Sequence, residues 1–266
     1  MTARQVMDVV DAHLGAPRPM PTVDRVLAGD ADGEVHGVAL TMMATLDVLR
    51  RAAERGLDLV ICHEPLYFHH SEDWNVMLAA EADPVYAAKS ALVAEHRLVV
   101  WRLHDGLHAT QPDEVNVGTA RALGWLRYER VSEPGIFGVP DTTLGVLAAH
   151  VARSLGARAL RYIGDPDQPV SVVAIEPGFW GFERNRSMLA HPDVDALVIG
   201  ESHEWETGEY AADAVTAGLG KGLVVVGHVP SEQQGMAEVA RWLPDLLPGL
   251  PVSFVPAADP YRAPTL

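Results

Sequence analysis

The chain reads as an α/β protein in two lobes, and three observations predict this. Short apolar runs alternate with longer segments of helical periodicity from one end to the other. The apolar runs stop at Gly, Pro or His, as strands entering loops do. A Gly- and Pro-containing break at residues 131–138 separates two halves that repeat the same alternation.

Each element follows from its own pattern. In residues 1–15, Val6, Val9, Val10 and then His13 and Leu14 mark an amphipathic helix closed by Gly15, and a proline-rich connection follows. "VHGVALTMM" (35–43) predicts a strand. Residues 44–56 place Leu46, Leu49 and Ala53 before Gly56, the pattern of a helix with a glycine C-cap. "LDLVICHEP" (57–65) is a buried strand stopped by Pro65. It completes a strand–helix–strand unit that delivers His63 and Glu64 at a carboxyl end, where open α/β sheets keep their sites. Residues 84–96 predict a helix. "RLVVWRLHDGLH" (97–108) predicts a strand and then a loop with His104, Asp105 and His108, and 113–125 another helix. The lobe boundary falls near 131–140. Beyond it, helices are expected at 142–156, 183–191, 205–218 and 233–247. Strands are expected at 170–178, 194–202 and 251–256, with a strand and turn at 222–232.

Bulk properties narrow the function. At 266 residues and 48% hydrophobic content the chain can bury a substantial core. With 36 acidic against 20 basic residues and a formal charge of −16, it lacks the cations that supply non-specific phosphate binding, which argues against a nucleic-acid partner. Its one cysteine, Cys62, cannot form an intrachain disulfide and suits a reducing compartment. The first residues lack a secretory pattern, and no apolar run is long enough to span a membrane. A cytoplasmic protein is expected.

Three apolar strands end in imidazole with a carboxylate or second histidine nearby: His63 with Glu64, His104 with Asp105 and His108, and His228 with Glu232. "IGESHEW" adds Glu201, His203 and Glu204. One histidine at a strand end is more often a hydrogen-bonded surface residue than a ligand. Three such endings are costly to assign to chance, because imidazoles beside a core need partners. Imidazole plus carboxylate, without cysteine, suits zinc, iron or manganese in a reactive site better than a structural zinc knot. The donors exceed what one ion needs, and two ions would use them all. Trp101 precedes the second cluster and Trp205 follows the fourth. Packing is the commoner use of such residues, and a stacking surface for a ring substrate is the other.

These motifs resemble the Nif-three-like proteins (NGG-interacting-factor-three family, also called GTP cyclohydrolase 1 type 2 homologs). The family's His-His-Pro is matched by His63, Glu64 and Pro65, and its His-Thr-Asn-x-Asp by residues 104–108. Its Thr-Gly-Glu/Asp strand end is matched by "IGES", and its Gly-His-x-x-Ser-Glu by "GHVPSE", the most specific of the four. The resemblance covers nearly the whole chain. It implies a single two-lobed Nif-three-like domain over residues 1–266, with a dinuclear metal site in the cleft between lobes and the C-terminal part packing back on the first lobe. The implied metal ligands are His63, Glu64, His108, His228 and Glu232, holding two divalent ions (Zn, Fe or Mn). Glu64 stands where the family has His, and His108 where it has the bridging Asp. The exchanges offset each other in charge, so a rearranged site is expected.

The resemblance further implies a homohexamer and a hydrolase acting on a small molecule, at a cyclic C–N or amide bond, in the manner of a GTP cyclohydrolase. His104, His203 and Glu204 are the expected proton-transfer residues. The alternative is a metal-binding or regulatory scaffold without turnover.

Overall fold

The structure, a computed structural model, describes residues 1–264. Ten strands occur among them: β1 Arg25–Ala28, β2 Val38–Thr41, β3 Leu59–Cys62, β4 Val99–Arg102, β5 Ile136–Thr143, β6 Arg161–Ile163, β7 Pro169–Glu176, β8 Ala196–Ile199, β9 Gly222–Val225 and β10 Val252–Phe254. Two compact units contain them. One comprises Met1–Glu114 with Met236–Ala257, and the other Val115–Gly235 with the residues from Ala258 on. The Gly/Pro break at 131–138 lies inside the second unit and leads into β5.

The first unit is built on a five-stranded sheet of order β1-β4-β3-β2-β10. β4, β3, β2 and β10 run parallel, and β1 is an antiparallel edge on β4. β2, β3 and β4 are buried at every position, as the mostly apolar strands of a parallel sheet are, with Thr41 and Arg102 the buried polar residues at two of their ends. The helix Ala3–Leu14 starts at Thr2, whose hydroxyl accepts from the Gln5 N–H while the Gln5 side chain accepts from Thr2 N–H. It stops at left-handed Gly15 and buries Ala3, Val6, Met7 and Val10. The helix Leu46–Glu54 is capped by Thr45 and buries Val48, Leu49 and Ala52.

Asp58, just before β3, ties the entry to β2. Its carboxylate accepts from the backbone N–H of His36 (2.7 Å) and Gly37 (3.2 Å) and pairs with the His36 ring at 2.7 Å. That bond raises the His36 pKa from 6.5. Burial pushes the Asp58 carboxyl up, but the His36 ring and the N–H donors outweigh it, so its pKa falls below 3.8. The His36 contribution to stability is complete below its unfolded pKa and is lost as pH rises through its folded value. The Asp58 contribution is present above its unfolded pKa and is lost as pH falls through its folded one. In an NMR titration His36 is expected to have a midpoint above 6.5 that returns toward that value in Asp58→Asn. An unchanged midpoint in the variant would show that the pair does not form.

The second unit has a sheet of order β5-β7-β8-β9-β6, parallel through β7, β8 and β9 with antiparallel edges. Strand alternation sends Val173, Ile175, Val198 and Val224 into one core cluster and Ala174, Leu197, Ile199 and Leu223 into another. The helix Leu144–Leu155 fills the first cluster with Leu144, Leu147, Ala148, Val151 and Leu155.

Two expectations are corrected here. The loop expected to carry Asp105 and His108 is the one-turn helix Asp105–His108. "GHVPSE" is not a strand and turn: β9 ends at Val225, and a helix runs from His228 to Leu246. Pro230 does not oppose this, since proline is tolerated in a first helical turn, whose N–H groups have no intrahelical acceptor. The edge strands β1, β5 and β6 and the helix Glu72–Ala80 were not anticipated. That helix buries no residue, so it leaves no apolar stripe to read.

Candidate metal centre

In the first unit the donors sit beyond adjacent strand ends. β3 and β4 are parallel with Cys62 opposite Arg102, so His63 and His104 emerge side by side. His108 joins them from the one-turn helix Asp105–His108. One nitrogen from each of His63, His104 and His108 lies within 4.8 Å of the others. The rings of His63 and His104 stack at 4.5 Å, and His108 meets them edge-on at 5.1 and 4.8 Å.

Each ring is oriented through Nδ1. The Leu103 carbonyl lies 3.1 Å from His63 Nδ1, Asp105 Oδ1 2.9 Å from His104 Nδ1, and Asp113 Oδ2 2.8 Å from His108 Nδ1. Carbonyls and carboxylates only accept, so in the neutral ring Nδ1 carries the proton and Nε2 is the nitrogen with the chemistry to ligate a cation. Glu64 lies beside the cluster, with Oε1 4.0 Å from His104 Nε2 and Oε2 3.3 Å from His70 Nε2.

Two aspartates set this turn in place. Asp24, whose side chain is fully buried, accepts from the N–H of His104 (2.6 Å), Asp105 (2.9 Å) and Gly106 (2.8 Å), and from Arg18 Nε at 3.0 Å. Burial pushes the Asp105 carboxyl up, but Val23 N–H, the His104 ring and the Thr22 hydroxyl outweigh it and leave the pKa lowered. Asp105 therefore supports the turn through hydrogen bonds of its own.

In the second unit, Glu176, Ile199 and Val225 are in register across β7, β8 and β9, so "PG", "GE" and "VGH" leave the sheet from one level. His228 Nδ1 is 2.8 Å from Glu201 Oε1, and its Nε2 is 3.0 Å from Glu232 Oε2, one helical turn on. Two glycines make room. A Cβ on Gly178, at φ +71°, would lie 2.1 Å from Glu232 Oε1, and one on Gly200 would lie 2.5 Å from Ser231 Oγ. Ser231 Oγ accepts from Gly178 N–H and donates to the His228 carbonyl. The Thr119 hydroxyl donates to the Ser231 carbonyl at 2.7 Å. The glycine of each strand end is thus what lets Glu232 and Ser231 approach the sheet.

His203 is half-exposed, pairs with Glu206 and stacks on Trp205, while exposed Glu204 pairs with Arg161 at 2.6 Å. Trp101 is 3% exposed and belongs to the first core. Asp24 and Asp113 were missed as partners of the site, and for His70 the sequence favours a loop residue over a ligand. His70 follows Pro65 in what reads as a loop, and the two aspartates hold others in place, which spacing does not reveal. Beside His63, the Cys62 thiol is fully buried, and burial pushes its pKa up to about 12. Iodoacetamide is expected to leave Cys62 unmodified in the folded protein at neutral pH and to alkylate it after denaturation. Rapid native alkylation would show the strand end to be open.

Two α/β sheets with clustered imidazoles and carboxylates at the carboxyl ends of their parallel strands define an α/β protein with a group that could hold a metal ion. The family model for Duf34/NIF3 (NGG1p interacting factor 3) matches residues 1–260, and the chain belongs to that family. Two similar relatives are named "GTP cyclohydrolase 1 type 2 homolog". The one from Clostridium acetobutylicum is 23% identical over 70% of both chains, and the one from Clostridium perfringens 22% over 89% of both. In fold the chain is similar to a Bacillus cereus protein related to NIF3, with a TM-score of 0.76, 16% identity and 99% of both chains covered. Among the described residues no helix is long and apolar enough to cross a membrane.

Proposed function

We propose that the chain is a cytoplasmic metal-dependent hydrolase of a small molecule, holding two divalent ions (Zn, Fe or Mn) with its histidine and glutamate donors. The observation that carries this reading is the set of three imidazoles in the first unit, each tied at Nδ1 to an oxygen so that Nε2 is the donor. The residues fit a borderline cation: nitrogen donors predominate, with Glu64 beside them. In the second unit, His228 and Glu232 form a further nitrogen–oxygen pair at 3.0 Å.

Bound there, the ions would supply a Lewis acid and an activated water. His63, Glu64, His108, His228 and Glu232 are assigned to holding metal. His104, first expected to move protons, is assigned to the same task on its geometry. His203, hydrogen-bonded to Glu206, and Glu204, paired with Arg161, are the proposed proton-transfer residues. The name carried by the relatives suggests opening of a cyclic C–N bond as in a GTP cyclohydrolase. The homohexamer that the resemblance implies belongs to the same proposal and is checked by sedimentation.

Protein purified without a tag or added metal is expected to carry about two ions per chain by elemental analysis. His63→Ala and Glu232→Ala are expected to lose metal and turnover together. Turnover that survives both variants would overturn the hydrolase reading; metal loss without any turnover in the parent would favour the scaffold.

A further inference from the structure

The metal reading uses His203 for proton transfer and gives no role to Trp205 and Phe179, the exposed aromatic rings packed against it in the second unit. Trp205 is 70% exposed and Phe179 47%. The His203 ring lies parallel to the Trp205 indole, with centroids 4.4 Å apart and planes 8° apart, and Phe179 lies 5.3 Å from His203. Glu206 holds His203 Nδ1 at 3.0 Å. An indole has two faces. His203 covers one, and so large an exposure leaves the other in water. Residues Glu204–Gly208 form a single π turn, a local geometry frequent at functional sites.

The surrounding charge narrows what can stack there. Residues 201–209 carry Glu201, Glu204, Glu206 and Glu209 and no Lys or Arg. Arg161 answers Glu204, and Arg184, which lies over Trp180, is paired with Glu176. Carboxylates accept hydrogen bonds and repel phosphate. A flat ligand with N–H groups matches this surface, and a triphosphate does not. The segment also reaches the proposed metal residues, since Glu201 holds His228 at 2.8 Å.

We propose that Trp205, backed by His203, stacks a planar nitrogen heterocycle that presents N–H groups and carries no phosphate. This names the substrate class of the proposed hydrolase and rests on that reading for its chemistry, whereas the stacking itself needs no metal.

Equilibrium dialysis of the full chain with guanosine and with GTP tests it, with Trp205→Ala and Trp205→Phe alongside and metal content measured on every sample. Guanosine is expected to bind, to weaken at least about tenfold in Trp205→Ala and to be largely retained in Trp205→Phe. GTP is expected to bind more weakly than guanosine by a similar factor. Equal guanosine binding in Trp205→Ala, or GTP binding as tightly as guanosine, would overturn the proposal. So would absent guanosine binding together with a smaller sedimenting species in Trp205→Ala, which would make the face a contact between copies. Loss of guanosine binding with metal retained in Trp205→Ala supports the stack. Guanosine bound by parent protein that carries no metal even after reconstitution sinks the metal reading alone.

Discussion

The His63→Ala variant is expected to lose metal binding at the first-unit donors by more than the roughly 10–100-fold that removal of a supporting residue costs. His63 is 1% exposed, and its ring contacts those of both His104 and His108, so its removal opens the centre of the cluster. Water taking the vacated position would not repair the loss, because it is a weaker ligand than imidazole, even with the other two rings still held by Asp105 and Asp113. Asp113→Asn supplies the graded comparison. Its amide can still accept from His108 Nδ1 but carries no charge, so affinity should fall within that 10–100-fold range. Titration with Zn²⁺ followed by calorimetry measures both. Equal, undiminished affinity in the two variants would place the metal elsewhere in the chain.

Asp24→Ala is expected to cost about 2–4 kcal/mol of stability. Each backbone N–H left without its acceptor costs about 1–3 kcal/mol when water cannot reach it, and partial relaxation offsets some of the sum. Three such N–H groups and Arg18 Nε depend on the Asp24 carboxylate, whose side chain is wholly buried. Asp24→Asn keeps the shape and one acceptor and should fall between. Chemical denaturation followed by circular dichroism gives the difference. A loss below about 0.5 kcal/mol, the usual size of a surface substitution, would mean that the turn Asp105–His108 is held by other contacts.

The central parallel strands were legible because burial on both faces leaves them mostly apolar, as in β3 and β8, and Pro65 marks one of their ends. The imidazoles were legible because they stand at those ends. Three of the four edge strands were not: β1 is only half-buried throughout, β6 is mostly exposed and β5 is broken by exposed residues, which removes the apolar run that marks a strand, while the edge strand β10 kept enough of it to be expected. His228 through Glu232 was misread because proline near a strand end signals a turn, while the same proline suits a first helical turn equally well. The place of His104 among the donors was also hidden. It depends on β3 lying beside β4, and strand order is a property of the fold rather than of any local run.

The first unit is discontinuous in the chain, and this fixes an order of events during synthesis. The strand β10 that completes its sheet against β2, and all of Met236–Ala257, leave the ribosome after the whole of Val115–Gly235. The second unit is nearly continuous and can close while translation proceeds, whereas the first waits with the edge of β2 unpaired. Until then that edge is open to strand addition by another chain, and a pause in translation before residue 252 would lengthen its exposure.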